Sequence, residues 1–225
     1  MLQTNFSGVT PGILTQYFTP VKGLLIPSSY DKTNFMGKNI CKQRLLDTYG
    51  IKGNPFICLT MCRLIEEKGL DFIIEAIEDI KRLGGVLIVV GVGDTKYETK
   101  FAKLARKYDH VFFINRYASP ARMPPFLAGA DFYLQPSISE NAGLMPLTAL
   151  SYGTIPIISL VGGLNDSFNE ENCIPVYFNN VAQAVEQAAE IYKDKERLNE
   201  LRAVCMSQKI SWDDRKQPYI DLYEQ

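Results

Sequence analysis

Histidine is nearly missing from this chain; His110 is the only one. The five cysteines (Cys41, Cys58, Cys62, Cys173 and Cys205) therefore have no second histidine to join them, and no zinc-ligand spacing can be assembled. Their odd count, with Cys58 and Cys62 in or beside an apolar run, points to plain thiols in a reducing compartment. A surplus of charge is missing too. Lys+Arg is 24 and Asp+Glu is 25, for a formal net charge of -1. That balance excludes the basic footprint of a nucleic-acid or anionic-membrane partner, although a local cationic pocket needs only two or three residues. Apolar runs are strand-sized and none approaches the roughly 20 residues of a membrane span. Met1 leads into mixed polar sequence, so no secretory signal is expected. Neither an internal repeat nor a low-complexity tract is present.

What the sequence does contain is a regular alternation. With 225 residues, 46% of them hydrophobic, the chain can build one sizeable core and little more. Val21–Ile26 reads as a short strand and Lys38–Tyr49 as a helix stopped by Gly50. Phe56–Met61 is a continuous apolar run, the pattern of a strand covered on both faces. Leu70–Leu83 follows as one amphipathic helix closed by Gly84-Gly85. Further strands are expected at Val86–Val90, Val111–Ile114, Phe132–Gln135, Ile155–Ser159 and Ile174–Phe178. Helices are expected at Tyr97–Tyr108, Ala121–Ala128, Leu144–Tyr152, Val181–Lys193, Glu196–Gln208 and Asp213–Tyr223. Strands and helices in turn, joined by short connections, predict an α/β fold with a doubly wound, Rossmann-like parallel sheet.

In such sheets ligands bind beyond the carboxyl ends of the strands, which directs attention to five loops. The first holds Arg63 and Lys68, two cations that can face a phosphate together; a solvated turn with Arg63 paired to Glu66 or Glu67 would explain them as well. The second holds Gly91 and Gly93, which permit close backbone approach or a simple tight turn; the further glycine of a dinucleotide fingerprint is absent. The third offers Tyr117, able to stack on a base or merely to pack. The fourth, Pro136–Leu144, places Glu140 and Gly143 just before a helix, where backbone N–H groups suit a phosphate and a carboxylate suits sugar hydroxyls. Ser139 or Asn141 could cap that helix. The fifth has Gly162-Gly163, open to ligand approach or to a turn in which Asp166 starts a short helix.

Taken in order, these segments resemble the C-terminal half of bacterial glycogen synthases and plant starch synthases, retaining GT-B glucosyltransferases of family 5. The resemblance runs from about Gly50 to the C-terminus. It is carried by Arg63-Leu64 through Asp71, Gly91 through Asp94, Ala128 through Phe132, Pro136-Ser137 through Leu144, Tyr152 through Pro156, Gly162 through Leu164, and Ser211-Trp212. It implies that residues 26–210 form a nucleotide-sugar-binding domain, preceded by an irregular tail over 1–25 and followed by a C-terminal helix over 211–225. It further implies catalytic roles for Arg63 and Lys68, on the donor diphosphate, and for Glu140, near the donor sugar. Tyr117 would stack on adenine, and Gly143 and Leu144 would offer backbone N–H groups. Gly93, Asn141, Gly162 and Gly163 complete the expected substrate-binding set. The implied partners are ADP-glucose and an α-glucan. Neither a metal nor a cofactor is called for, and the expected location is the cytoplasm, or a plastid in a plant or alga.

The sequence departs from the family pattern at Asn141-Ala142, where Pro-Cys is usual, and at Met145-Pro146, where Thr-Gln is usual. Pro124-Pro125 also falls where the family has an uninterrupted helix. These departures leave open a relative using another nucleotide sugar, such as UDP-glucose, and a catalytically silent binding module. The family's N-terminal domain, with its Lys-x-Gly-Gly motif and acceptor-facing histidine, has no counterpart here, and His110 does not match it. The expectation is thus of half a cleft that binds donor and does not elongate glucan alone.

Overall fold

The computed structural model describes residues 8–23, 25–117 and 119–224. Its centre is β1 (Phe56–Met61), every residue of which is buried. Around it lie β2 (Gly85–Val90), β3 (Val111–Ile114), β4 (Phe132–Gln135), β5 (Ile155–Ile158) and β6 (Ile174–Pro175). They form one six-stranded sheet in the order β3-β2-β1-β4-β5-β6, and every pairing is parallel. The winding reverses between β1 and β4, which opens a crevice at their carboxyl ends.

The two-residue period of a strand explains why β1 reads as unbroken apolar sequence. Phe56 and Cys58 face one core, while Ile57, Leu59 and Met61 face the other. The first core is covered by α2 (Leu70–Glu75), α3 (Ile77–Arg82), α4 (Thr95–Lys107), α6 (Leu144–Ser151), α7 (Val181–Lys193) and α8 (Lys195–Met206). The second is covered mainly by α1 (Met36–Tyr49) and α5 (Met123–Gly129). A last helix, α9 (Trp212–Tyr223), starts from a capping box between Ser211 and Asp214. It is tied to the N-terminal segment where Ile13 pairs with Ser211 and the Trp212 N–H donates to the Ile13 carbonyl.

Four local expectations change. The strand expected over Ile174–Phe178 is only Ile174–Pro175, and the chain turns to positive φ at Phe178 and Asn179. Val21–Ile26 is not a strand: apart from Leu24, which lies outside the described residues, it follows turns and bends. The helix expected over Leu70–Leu83 is two, because the Ala76 N–H is shared between the Phe72 and Ile73 carbonyls and helical geometry lapses there. Pro124-Pro125 does not interrupt a helix but starts one. Both prolines sit in the first turn of α5, where their missing N–H groups would have no partner anyway. Gly50 stops α1 as expected, with a left-handed φ of 64° and the Ile51 N–H returning to the Leu46 carbonyl. All five cysteines are free thiols.

Candidate functional site

The β1–β4 ladder pairs only Cys58 with Phe132 and Leu59 with Tyr133. Beyond that point side chains span the widening gap. Thr60 Oγ1 donates to the Leu134 carbonyl at 2.8 Å, and the Tyr133 hydroxyl lies 2.8 Å from the Met61 carbonyl oxygen. The same hydroxyl is 2.7 Å from Gln135 Oε1, which orients the Gln135 amide. Gln135 Nε2 then donates to Ser137 Oγ at 3.0 Å and to Glu140 Oε2 at 2.9 Å. Lys68 Nζ reaches that same carboxylate oxygen at 2.5 Å. A buried chain of hydrogen bonds thus carries the rigidity of the sheet out to a Lys68–Glu140 ion pair at the mouth of the crevice.

Lys68 gets there because of Gly69. That residue has a φ of 67°, and a Cβ on it would fall 1.8 Å from the Pro136 carbonyl oxygen. The close approach lets the Ile138 N–H donate to the Glu67 carbonyl at 2.8 Å, locking the loops after β1 and β4 together. The loop after β5 is locked in the same way. Gly163 donates its N–H to the Glu140 carbonyl at 2.9 Å, and a Cβ on Gly163 would meet the Asn141 carbonyl oxygen at 1.9 Å. Gly162 packs on the Glu140 backbone, and Gly143, with φ 69°, packs on Leu164. Gly93 is pressed against Leu64, and its N–H is taken by Glu98 Oε1 at 2.9 Å. Each of these glycines therefore has a packing reason to be glycine.

Arg63 is exposed and has no ion-pair partner among the described residues, so Glu66 and Glu67 do not tie it down. It borders a cavity of about 470 Å³ with Met61, Cys62, Gly91, Tyr117, Leu144 and Trp212. That volume suits a ligand of nucleotide size. Tyr117, 70% exposed, also borders a neighbouring hollow flanked by Arg44, Arg116 and Arg122. The structure thus divides the expected site in two. Arg63, Tyr117 and Leu144 line the cavity, while Lys68, Glu140, Asn141, Gly143, Gly162 and Gly163 belong to the interlocked loops. Cys62 links the two, since it lines the cavity and senses the charges of both Lys68 and Glu140.

The electrostatics follow. Burial raises the pKa of Glu140, but the hydrogen bond and charge of Lys68, with the backbone amides of Gly143 and Ala142, outweigh it and hold the carboxyl below its ordinary value. Burial pushes the Cys62 thiol up to about 12, with Lys68 opposing and Glu140 assisting, so it is a poor nucleophile. At the start of α6 the Leu144 and Met145 N–H groups face outward without helical partners, while Pro146 offers none. His110 is buried, with Nε2 3.0 Å from the Ile77 carbonyl oxygen, and is part of the core.

Sequence reasoning missed Gln135, whose signal was a polar residue closing a buried strand. It also missed Leu14, Phe18 and Trp212, which bring the segment before α1 and the start of α9 to the cavity wall; Trp212 appeared only as part of a motif.

A six-stranded parallel sheet in this order, with its loops gathered at the switch point, is the Rossmann-like architecture of the C-terminal domains of GT-B glycosyltransferases. The chain belongs to the family described as glycosyl transferases group 1, whose model matches residues 42–206. It is 30% identical to a glycogen synthase from Lactococcus lactis, over 97% of this chain and 48% of that protein. It is 28% identical to a glycogen synthase from Alkaliphilus metalliredigens, over 96% and 48% respectively. Among solved structures, the catalytic domain of starch synthase IV from Arabidopsis thaliana, bound to ADP and acarbose, superposes with a TM-score of 0.86 at 26% identity. That match covers 95% of this chain and 47% of the other. An isolated C-terminal domain of a group 1 glycosyl transferase from Francisella tularensis shares the fold, with a TM-score of 0.66 at 18% identity, over 92% of this chain and 98% of that one. The chain spans about half the length of the curated relatives it matches. No helix among the described residues is long and apolar enough to cross a membrane.

Proposed function

We propose that this chain is the donor-binding half of a glucosyltransferase that moves glucose from ADP-glucose to the non-reducing end of an α-1,4-glucan. The observation that carries the reading is the Lys68–Glu140 pair, braced through Gln135 and Tyr133, beside a nucleotide-sized cavity edged by Arg63 and Tyr117. Residues 26–210 would form the nucleotide-sugar domain, with residues 211–225 as a helix closing one wall. Similarity to glycogen synthases, and to a starch synthase bound to ADP and acarbose, supports both donor and acceptor.

In this reading the adenine lies against Tyr117. The diphosphate lies between Arg63, Lys68 and the free N–H groups of Leu144 and Met145. Departure of ADP leaves an oxocarbenium-like glucosyl group beside Glu140, and the glucan 4-hydroxyl attacks on the face the nucleotide has just left, passing its proton to the departing diphosphate. Neutralising the departing diphosphate is then the main catalytic contribution, supplied by side-chain cations and oriented backbone donors. Loss of one such donor costs on the order of 2.7–4 kcal/mol in the transition state. Gly93, Asn141, Gly162 and Gly163 act by setting loop shape around the donor. The acceptor side of the cleft belongs to a second, N-terminal GT-B domain, and the chain alone binds donor without elongating glucan.

The test is calorimetric titration with ADP, UDP and their glucose conjugates, followed by an elongation assay with a matching N-terminal domain supplied. Tighter adenine-nucleotide binding, and elongation abolished by Arg63→Ala, support the reading. Tighter uridine-nucleotide binding would assign a different donor. Binding without elongation in the two-domain assay would make the chain a silent binding module, a reading that Pro146 favours by removing one N–H from the phosphate-facing turn.

A further inference from the structure

At the opposite end of the sheet, where β1 and β4 begin, a second concentration of charge plays no part in that reaction. Asp131, just before β4, is fully buried. It accepts from Lys42 Nζ at 2.6 Å, from Arg202 Nη2 at 2.7 Å and from the Ile57 N–H at 2.9 Å. The Lys195 ammonium sits 3.6 Å from the centroid of the Tyr192 ring, and Lys42 lies 4.3 Å from the same ring. Lys42, Lys195, Arg202 and Asp131 all line one cavity of about 560 Å³ between α1 and the α7–α8 corner. Three cations there meet a single carboxylate.

The wall also carries further donors, beside the side-chain carbonyl oxygen of Gln43, whose NH₂ is spent on Asp47. Arg202 is 4% exposed, and its Nε–H is buried without a partner. Asn54 and Asn199 spend their side-chain oxygens on Tyr192 and Arg202, which leaves their NH₂ groups unpaired among the described residues. Asn39 adds a further exposed amide at the rim. The strain on the cations is consistent with this excess. Burial lowers the pKa of Lys42, and Arg202 and Lys195 lower it further against the pull of Asp131. A water molecule could satisfy one N–H, but it brings no charge.

We infer that this cavity is a second anion site, remote from the nucleotide loops, that takes a phosphate group, either free or as a small phosphomonoester. Arg202 keeps its guanidinium on Asp131 and Asn199 and contributes its positive charge from the wall. Lys42 and Lys195 supply the charge, and the Asn54 and Asn199 amides donate to the remaining oxygens. The cavity is wider than one phosphate ion needs, and the Asn39 amide can meet hydroxyls on an organic body.

The test is titration of the whole chain with inorganic phosphate and with glycerol 3-phosphate, followed by calorimetry and thermal unfolding. Ionic strength is held constant with chloride. Because Lys195 and Asn39 are exposed, Lys195→Gln and Asn39→Asp leave the fold intact. Lys195→Gln is expected to weaken phosphate binding by about tenfold, the loss of roughly one charge-assisted contact, and Asn39→Asp to weaken binding of the ester by placing a carboxylate at the rim. Arg63→Ala, on the nucleotide side, is expected to leave that binding unchanged. Tighter binding of the ester assigns the site to a phosphomonoester, and the opposite ranking assigns it to free phosphate. Stabilisation no greater than chloride gives, or phosphate binding lost in Arg63→Ala and kept in Lys195→Gln, would overturn the inference.

Discussion

Lys68 answers to two partners. In the structure its ammonium is committed to Glu140 at 2.5 Å, yet the proposed reaction asks it to meet a diphosphate. A carboxylate and a phosphate compete for one cation, so Glu140 restrains donor binding while it positions the sugar. Glu140→Gln is therefore expected to bind ADP at least as tightly as the parent chain, whereas Lys68→Ala binds it about tenfold or more weakly; calorimetry at neutral pH separates the two. The carboxyl is held below its ordinary value, so its contribution to stability is fully present above the unfolded-state value and is lost as pH falls through the lower folded one. The stability gap between parent and Glu140→Gln should then be constant through neutral pH and shrink below about pH 4, as read by urea unfolding. These candidates were legible because charged residues at strand mouths stand out against apolar strands. The brace behind them was not. Gln135 and Tyr133 read as strand, and only the register shows that Gln135 reaches Glu140.

At the scale of elements, β1 and β4 were legible for the same reason that they are central. A strand covered on both faces has no polar face to confuse the pattern. Val21–Ile26 failed because a short apolar run lacking a neighbouring strand is not a strand, and hydrophobicity does not report pairing. The break at Ala76 was invisible because alanine is an excellent helix former, so nothing in its propensity marks a lapse. In α6 the departure at Pro146 has a definite consequence. Proline is tolerated there because it falls in the first turn, but it withdraws one N–H from the proposed phosphate side. Pro146→Ala restores that donor. It is expected to tighten ADP binding by roughly three- to tenfold, while thermal stability changes by less than about 1 kcal/mol; paired calorimetry and melting measurements would show it.

At the scale of the molecule, the buried charges do more than line a cavity. Lys38, 1% exposed, donates to the Tyr152 carbonyl at 3.0 Å and to Thr154 Oγ1 at 2.9 Å. Asp131 joins α1, the start of β1 and α8. Lysines on a helix read as solvated, so the sequence concealed that Lys38 and Lys42 point inward. Asp131→Asn would leave Lys42 and Arg202 buried without their counter-charge, and is expected to destabilise the chain by about 3–5 kcal/mol in urea unfolding. The same network also sets a timetable for synthesis. Lys42 waits 89 residues for Asp131, and Asp131 waits a further 71 for Arg202. At roughly 5–20 residues per second each interval lasts several seconds, during which the emerging polypeptide carries ionised groups that no partner yet shields. Lys42 and the Ile57 N–H already meet Asp131 before α8 emerges, so Arg202 completes the network last, and a chain stopped short of Arg202 is expected to be less stable than the whole.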